Sequence, residues 1–210
     1  MGREKTHGFF ILWNRRRLAD PAPQGGVQVL NVRNIVLVGC RCSGKTSVGK
    51  HVAQELERNF FDTDAWIEEK ARCCIETIVS RHGWECFRSI EKELIKDLSR
   101  GVELVIATGG GVVMDEENVR NLKRTGQIVW LTAEAEALKQ RMLTDQRSGK
   151  FRPSLTGVDP LEEVTRVLSA RASYYQKASD LVVDTTSLFP REVATLIIKN
   201  LSELSGDRTT

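Results

Sequence analysis

With 210 residues, 40% of them hydrophobic and 28% charged, the chain is long enough for one sizeable α/β domain and too short for two joined by a linker. No apolar run approaches the ~18 residues of a membrane span, so a soluble protein without a membrane partner is expected. The net charge of +3 sits in the first thirty residues, where Arg3, Lys5, Arg15, Arg16 and Arg17 oppose only Glu4 and Asp20; the balanced remainder argues against a nucleic-acid partner.

Within that opening segment the apolar pentad Phe9–Trp13 is too short for a signal-peptide core, and arginines follow it instead of a cleavage site. Residues 1–30 read as a mostly disordered extension ahead of a single domain over 31–210. Alternatively, translation begins near Val32, directly before the first strand. The cysteines Cys40, Cys42, Cys73, Cys74 and Cys86 have no zinc-ligand spacing, and their odd number predicts reduced thiols in the cytoplasm.

Asn34–Val38 is an apolar, β-branched run ending at Gly39, the pattern of a buried parallel strand. Thr46–Arg58 carries Val48, Val52 and Leu56 on one helical stripe. Strands are predicted at Phe60–Asp62, Glu103–Ala107, Gln127–Leu131 and Leu181–Asp184, and an amphipathic helix at Trp84–Leu98. Thr132 is placed to cap the helix after the fourth strand, with Glu134 and Glu136 in its first turn. Residues 145–158 are polar and contain Gly149, Pro153 and Gly157, a loop of the kind that forms a lid. Pro160 starts the next helix, and Arg191–Leu204 closes the chain. This alternation predicts a three-layer α/β/α fold on a five-stranded parallel sheet, with sites at the carboxyl ends of the strands.

Gly39-Cys40-Arg41-Cys42-Ser43-Gly44-Lys45-Thr46 matches G-x-x-x-x-G-K-[ST] between a strand and a helix. Its backbone N–H groups from Cys42 through Ser47 are expected to wrap the phosphates of ATP or GTP at a helix N-terminus. Lys45 then meets the β- and γ-phosphates, and the Thr46 hydroxyl holds Mg²⁺. The absence of an Asn-Lys-x-Asp motif weakens a GTPase reading.

Arg88 and Glu91 lie three apart on one helical face with Trp84 and Ile95. Either the carboxylate holds the guanidinium for a ligand, or the two form a surface salt bridge of little worth. Arg171 falls in phase with the apolar stripe of its helix, where a charge needs a partner or a polar pocket, and this favours a bound anion. Arg152, in the polar loop, either swings over a phosphate or is a solvated loop charge.

The period of two puts Asp62 and Asp64 on one side of a strand end. Asp62 suits the water shell of Mg²⁺, and Asp64 suits accepting a proton from an attacking hydroxyl; one of them capping the next helix at Ala65 is the competing reading. Gly109-Gly110-Gly111 offers side-chain-free backbone for close approach of a ligand, or is a plain turn.

In order along the chain, the P-loop, Asp-Thr-Asp, Phe-Arg-x-x-Glu, Gly-Gly-Gly, Arg-Pro-x-Leu and Arg-x-x-x-Tyr together resemble the shikimate kinase family, in the nucleoside-monophosphate-kinase-like P-loop group. The resemblance runs from about Asn34 to the C-terminus. It implies ATP-dependent phosphorylation of shikimate at its 3-hydroxyl, with Mg²⁺, by a cytoplasmic enzyme that is usually a monomer. It further implies that Asp64, Arg88, Arg171 and Gly109–Gly111 bind shikimate, that Phe87 walls the pocket and that Glu91 orients Arg88. Arg152 resembles the lid arginine, Asp62 the carboxylate of the Mg²⁺ shell, and Arg141 and Pro190 the adenine contacts. One departure stands out: Cys42 replaces a P-loop glycine common in the family, which predicts strain if that position needs positive φ. The nearest rival is another small-molecule P-loop kinase, such as one for gluconate; a non-catalytic nucleotide-binding protein would be expected to lose Lys45 or Asp64.

Overall fold

A computed structural model of the protein describes residues 32–147 and 160–206. The expected N-terminal extension, most of the expected lid and Arg152 lie outside the described residues. Five strands, β1 (Asn34–Val38), β2 (Asn59–Asp62), β3 (Leu104–Ala107), β4 (Gly126–Thr132) and β5 (Leu181–Asp184), form one sheet in the order β2-β3-β1-β4-β5. Every pairing in it is parallel. The helices are α1 (Lys45–Glu55), α2 (Thr63–Ala71), α3 (Ile75–Leu98), α4 (Glu116–Thr125), α5 (Ala135–Arg147), α6 (Pro160–Ala178) and α7 (Pro190–Gly206).

The layering follows from β1. All five of its residues are buried, and successive side chains point to opposite faces. Ile35 and Leu37 pack with Val48 and Val52 of α1 and with Val193, Ile197 and Leu201 of α7. Val36 and Val38 pack on the other face with Ile67 of α2, Ile95 of α3, Leu122 of α4 and Tyr175 of α6. Burial on both sides explains the unbroken apolar run in the sequence. A smaller cluster of Cys40, Ala133, Leu138, Met142 and Val164 joins α5 and α6 to the loop that follows β1.

The strand order positions the site. The chain leaves β1 toward one edge, returns to β3 beside it, and then crosses to β4 on its other side. The crevice this makes over the carboxyl end of β1 is where open α/β sheets bind ligands.

Several local expectations are corrected. α1 stops at Glu55, short of Arg58, because Glu57 adopts a left-handed conformation (φ 53) and the Arg58 N–H turns back to the Ala53 carbonyl at 2.8 Å. β3 starts one residue late because Glu103 is also left-handed, at φ 59. Thr132 is no helix cap: it ends β4 and pairs with Asp184, while the first turn of α5 closes from the Leu138 N–H to the Glu134 carbonyl. Within α3, Gly83 (φ 78, ψ 168) breaks the helical path, so Trp84–Leu98 is a helix preceded by a separate shorter segment. A Cβ at Gly83 would meet nothing within 4 Å, so the requirement there is on the backbone alone.

Candidate active site

The loop between β1 and α1 places Lys45 at the helix start, with its ammonium folded back onto the Gly39 and Cys40 carbonyls at 2.9 and 2.7 Å. Ser43 is buried, Gly44 precedes the helix at φ 94, and Ser47 is exposed in the first turn of α1. The strain expected at Cys42 is present: its φ is 61, and its thiol donates to Asp145 Oδ2 at 3.7 Å. Burial, reinforced by Asp145, raises that thiol to about 11, well away from a reactive thiolate at neutral pH.

Asp62 combines the two competing readings. Its Oδ1 accepts the Ala65 N–H at 3.1 Å and caps α2, while Oδ2 accepts the Thr46 hydroxyl at 2.7 Å. The two aspartates are not, however, successive same-side residues of a strand. β2 ends at Asp62, Thr63 opens α2, and Asp64 lies in the first helical turn. That turn aims Asp64 at the glycine run, since a Cβ on Gly109 would sit 2.8 Å from both Asp64 Oδ1 and Glu91 Oε1.

Arg88 and Glu91 form the expected pair on α3, with Nη1 2.6 Å from Oε2. This is no surface bridge, because Glu91 is 1% exposed and Arg88 about a third. The Glu91 Oε1 has no hydrogen-bond partner among the described residues. Burial raises the Glu91 pKa, and the Arg88 charge opposes the rise. The Arg88 guanidinium lies 5.1 Å from the ring centre of buried Phe87 and 5.5 Å from that of Trp84. It also lies directly against Gly111, where a Cβ would come within 2.7 Å of its Cζ. Only a residue without a side chain leaves room there.

Arg171 reaches the same turn from α6, donating to the Gly110 carbonyl at 3.1 Å. A Cβ on Gly110 would lie 3.4 Å from the Gly39 carbonyl, so the glycine turn borders the phosphate loop on one side and the arginines on the other. Arg141 of α5 donates to Thr185 Oγ1 at 3.0 Å and to the Cys42 carbonyl at 3.4 Å. It thereby ties the phosphate loop to the turn before α7, whose first residue is Pro190. The structure thus brings the phosphate-loop, carboxylate, glycine and arginine candidates together, while Pro190 is placed only as the first residue of α7 and Arg152 lies outside the described residues.

Two contributors went unread in the sequence. Buried Thr63 accepts the Gly109 N–H at 3.0 Å, and the Tyr175 hydroxyl donates to the Gly110 carbonyl at 2.5 Å. Their only signal was their place inside Asp-Thr-Asp and Arg-x-x-x-Tyr.

A parallel α/β sheet with a phosphate cradle after its central strand, and a cluster of arginines and carboxylates around the glycine turn beside it, defines a small-molecule kinase of the P-loop class. The sequence profile of shikimate kinase matches residues 41–202. A shikimate kinase of Thermodesulfovibrio yellowstonii is 41% identical over 178 residues, 85% of this chain and 100% of that protein. One of Syntrophus aciditrophicus is 38% identical over 175 residues, 80% of this chain and 90% of that protein. Among solved structures, the shikimate kinase of Acinetobacter baumannii in complex with shikimate aligns with a TM-score of 0.76 at 30% identity, covering 86% of this chain and 97% of that one. The chain belongs to the shikimate kinase family.

Proposed function

We infer that the protein transfers the γ-phosphoryl group of ATP to the 3-hydroxyl of shikimate, giving shikimate 3-phosphate and ADP. The observation that carries this reading is the buried Glu91 holding Arg88 against Gly111, with Arg171 on the adjoining peptide. Two guanidinium groups at one side-chain-free turn fit a carboxylate-bearing acceptor.

Phosphoryl transfer asks little covalent chemistry of the protein and depends on placement and charge neutralisation. Lys45, now on its own loop carbonyls, exchanges them for phosphate oxygens. Arg88 and Arg171 clamp the acceptor carboxylate, so the ring hydroxyl faces the cradle, and Asp64 holds that hydroxyl and takes its proton. Arg152 closes over the transferring phosphate, a role resting on the family resemblance alone. Arg141 and Pro190 border the adenine.

The donor set fits Mg²⁺. Thr46 Oγ1 and Asp62 Oδ2 are hard oxygens already paired at the cradle's mouth. Among the described residues no cluster of three or more acidic, His or Cys side chains makes a dedicated cage, which suits an ion that keeps water and phosphate ligands. When bound, Mg²⁺ neutralises phosphate charge.

On this reading residues 31–210 are one domain with residues 1–30 as an extension, and the enzyme works as a cytoplasmic monomer. No helix among the described residues is long and apolar enough to cross a membrane. ADP release measured separately with shikimate, gluconate and nucleoside monophosphates tests the assignment: shikimate alone should support turnover, and activity with gluconate only would overturn it.

A further inference from the structure

Tyr175 follows Arg171 by one turn of α6, and its side chain is fully buried. Its ring stacks on Trp130 of β4 with centroids 5.6 Å apart, which fixes where the hydroxyl points. That hydroxyl and Arg171 Nη1 donate to one acceptor, the Gly110 carbonyl, at 2.5 and 3.1 Å. A carbonyl oxygen has two lone pairs, and both are used here. The donors differ in what else they can do. Arg171 is a long, charged side chain beside the acceptor pocket, whereas the phenol has no freedom to turn elsewhere. Burial also pushes the phenol pKa up, so it stays a donor at any working pH.

Gly110 is the midpoint of the site. Its Cα faces the Gly39 carbonyl across a gap that a Cβ would narrow to 3.4 Å, and Gly39 is one of the two carbonyls that hold Lys45. On the flanks, the Gly109 N–H is held by Thr63 Oγ1 at 3.0 Å and the Val112 N–H by the Gly109 carbonyl at 3.2 Å. The Gly110 peptide is therefore one of the links between the phosphate cradle and the acceptor site, and how firmly it is anchored bears on the distance between them. If Arg171 turns to an anion, the Gly110 oxygen depends on the tyrosine alone, and without the tyrosine that oxygen would be orphaned.

We propose that Tyr175 is a positioning residue of the acceptor site: it anchors the Gly110 carbonyl and so releases Arg171 to exchange that carbonyl for the substrate's carboxylate. The proposal rests on shikimate being the acceptor. Tyr175→Phe keeps the ring and its stacking on Trp130 and removes only the hydroxyl. The KM for shikimate should rise roughly 10-fold, the scale of one buried hydrogen bond, with kcat and the KM for ATP within about two-fold of wild type. By hydrogen–deuterium exchange, the Gly109 and Val112 amides should exchange at least ~10-fold faster while those of β3 are unchanged. An unchanged KM for shikimate, or an equal loss in both KM values together with a lower Tm, would overturn the proposal and leave Tyr175 a core residue. Should the wild type not use shikimate, the acceptor assignment fails on its own, and unchanged exchange at Gly109 and Val112 still rejects the anchoring.

Discussion

Gly111→Ala isolates the contact on which the proposed acceptor site depends. Gly111 has φ −105 and ψ −1, a backbone conformation open to alanine, so any effect comes from the added methyl. That methyl would stand 2.7 Å from Arg88 Cζ and 2.8 Å from Nη1. The guanidinium must move, and it is held 2.6 Å from Glu91. A hydrogen bond to a charged group contributes about 1.5–3 kcal/mol, and the partial exposure of Arg88 argues for the low end of that range. At 1.4 kcal/mol per decade, the KM for shikimate should rise roughly 10-fold. The KM for ATP should stay within about two-fold, because the methyl faces α3 and not the phosphate loop. Steady-state ADP release with each substrate varied in turn measures both. An unchanged KM for shikimate would remove Arg88 from the acceptor site; equal rises in both would mean that the turn as a whole had collapsed.

Asp64→Asn should keep ATP affinity and lose turnover by at least ~10²-fold, since an amide still hydrogen-bonds a hydroxyl and cannot take its proton. Asp62→Asn, which retains an oxygen to cap α2, should instead raise the Mg²⁺ concentration for half-maximal rate and recover with added Mg²⁺; swapped outcomes would reverse the two assignments. Glu91 should imprint a pH dependence on stability. Its folded pKa is raised above the ordinary 4.5, so the folded state keeps a proton that the unfolded state has lost, and stability falls as pH climbs from 4.5 through the raised value. Denaturant unfolding of wild type and Glu91→Gln across that range should show the difference in stability shifting in favour of the variant; parallel curves would contradict the raised pKa.

What the sequence made legible follows from where the information is local. β1 and β5 were read at their observed bounds because each is a short apolar run, the first closed by Gly39 and the second by Asp184. The end of α1 and the start of β3 were not, because Glu57 and Glu103 adopt left-handed conformations without the glycine that announces them. α2 was hard to see since it buries only Thr63 and Ile67. In the site, the Arg88–Glu91 pair was visible because helical spacing alone predicts its contact. The burial of that pair, its fit against Gly111 and the hold of Thr63 and Tyr175 on the glycine turn come from packing between α2, α3, α6 and the turn after β3, and no local pattern encodes that. The Asp62/Asp64 geometry was misjudged by one residue, because it depends on where the strand stops.

The most direct test of the central claim is to identify the phosphorylated product. After incubation with ATP, Mg²⁺ and shikimate, phosphorus–proton coupling in the NMR spectrum should place one new phosphate on the 3-hydroxyl, formed in step with ADP. A phosphate on a different hydroxyl, or ADP accumulating alongside free inorganic phosphate and unchanged shikimate, would contradict the account.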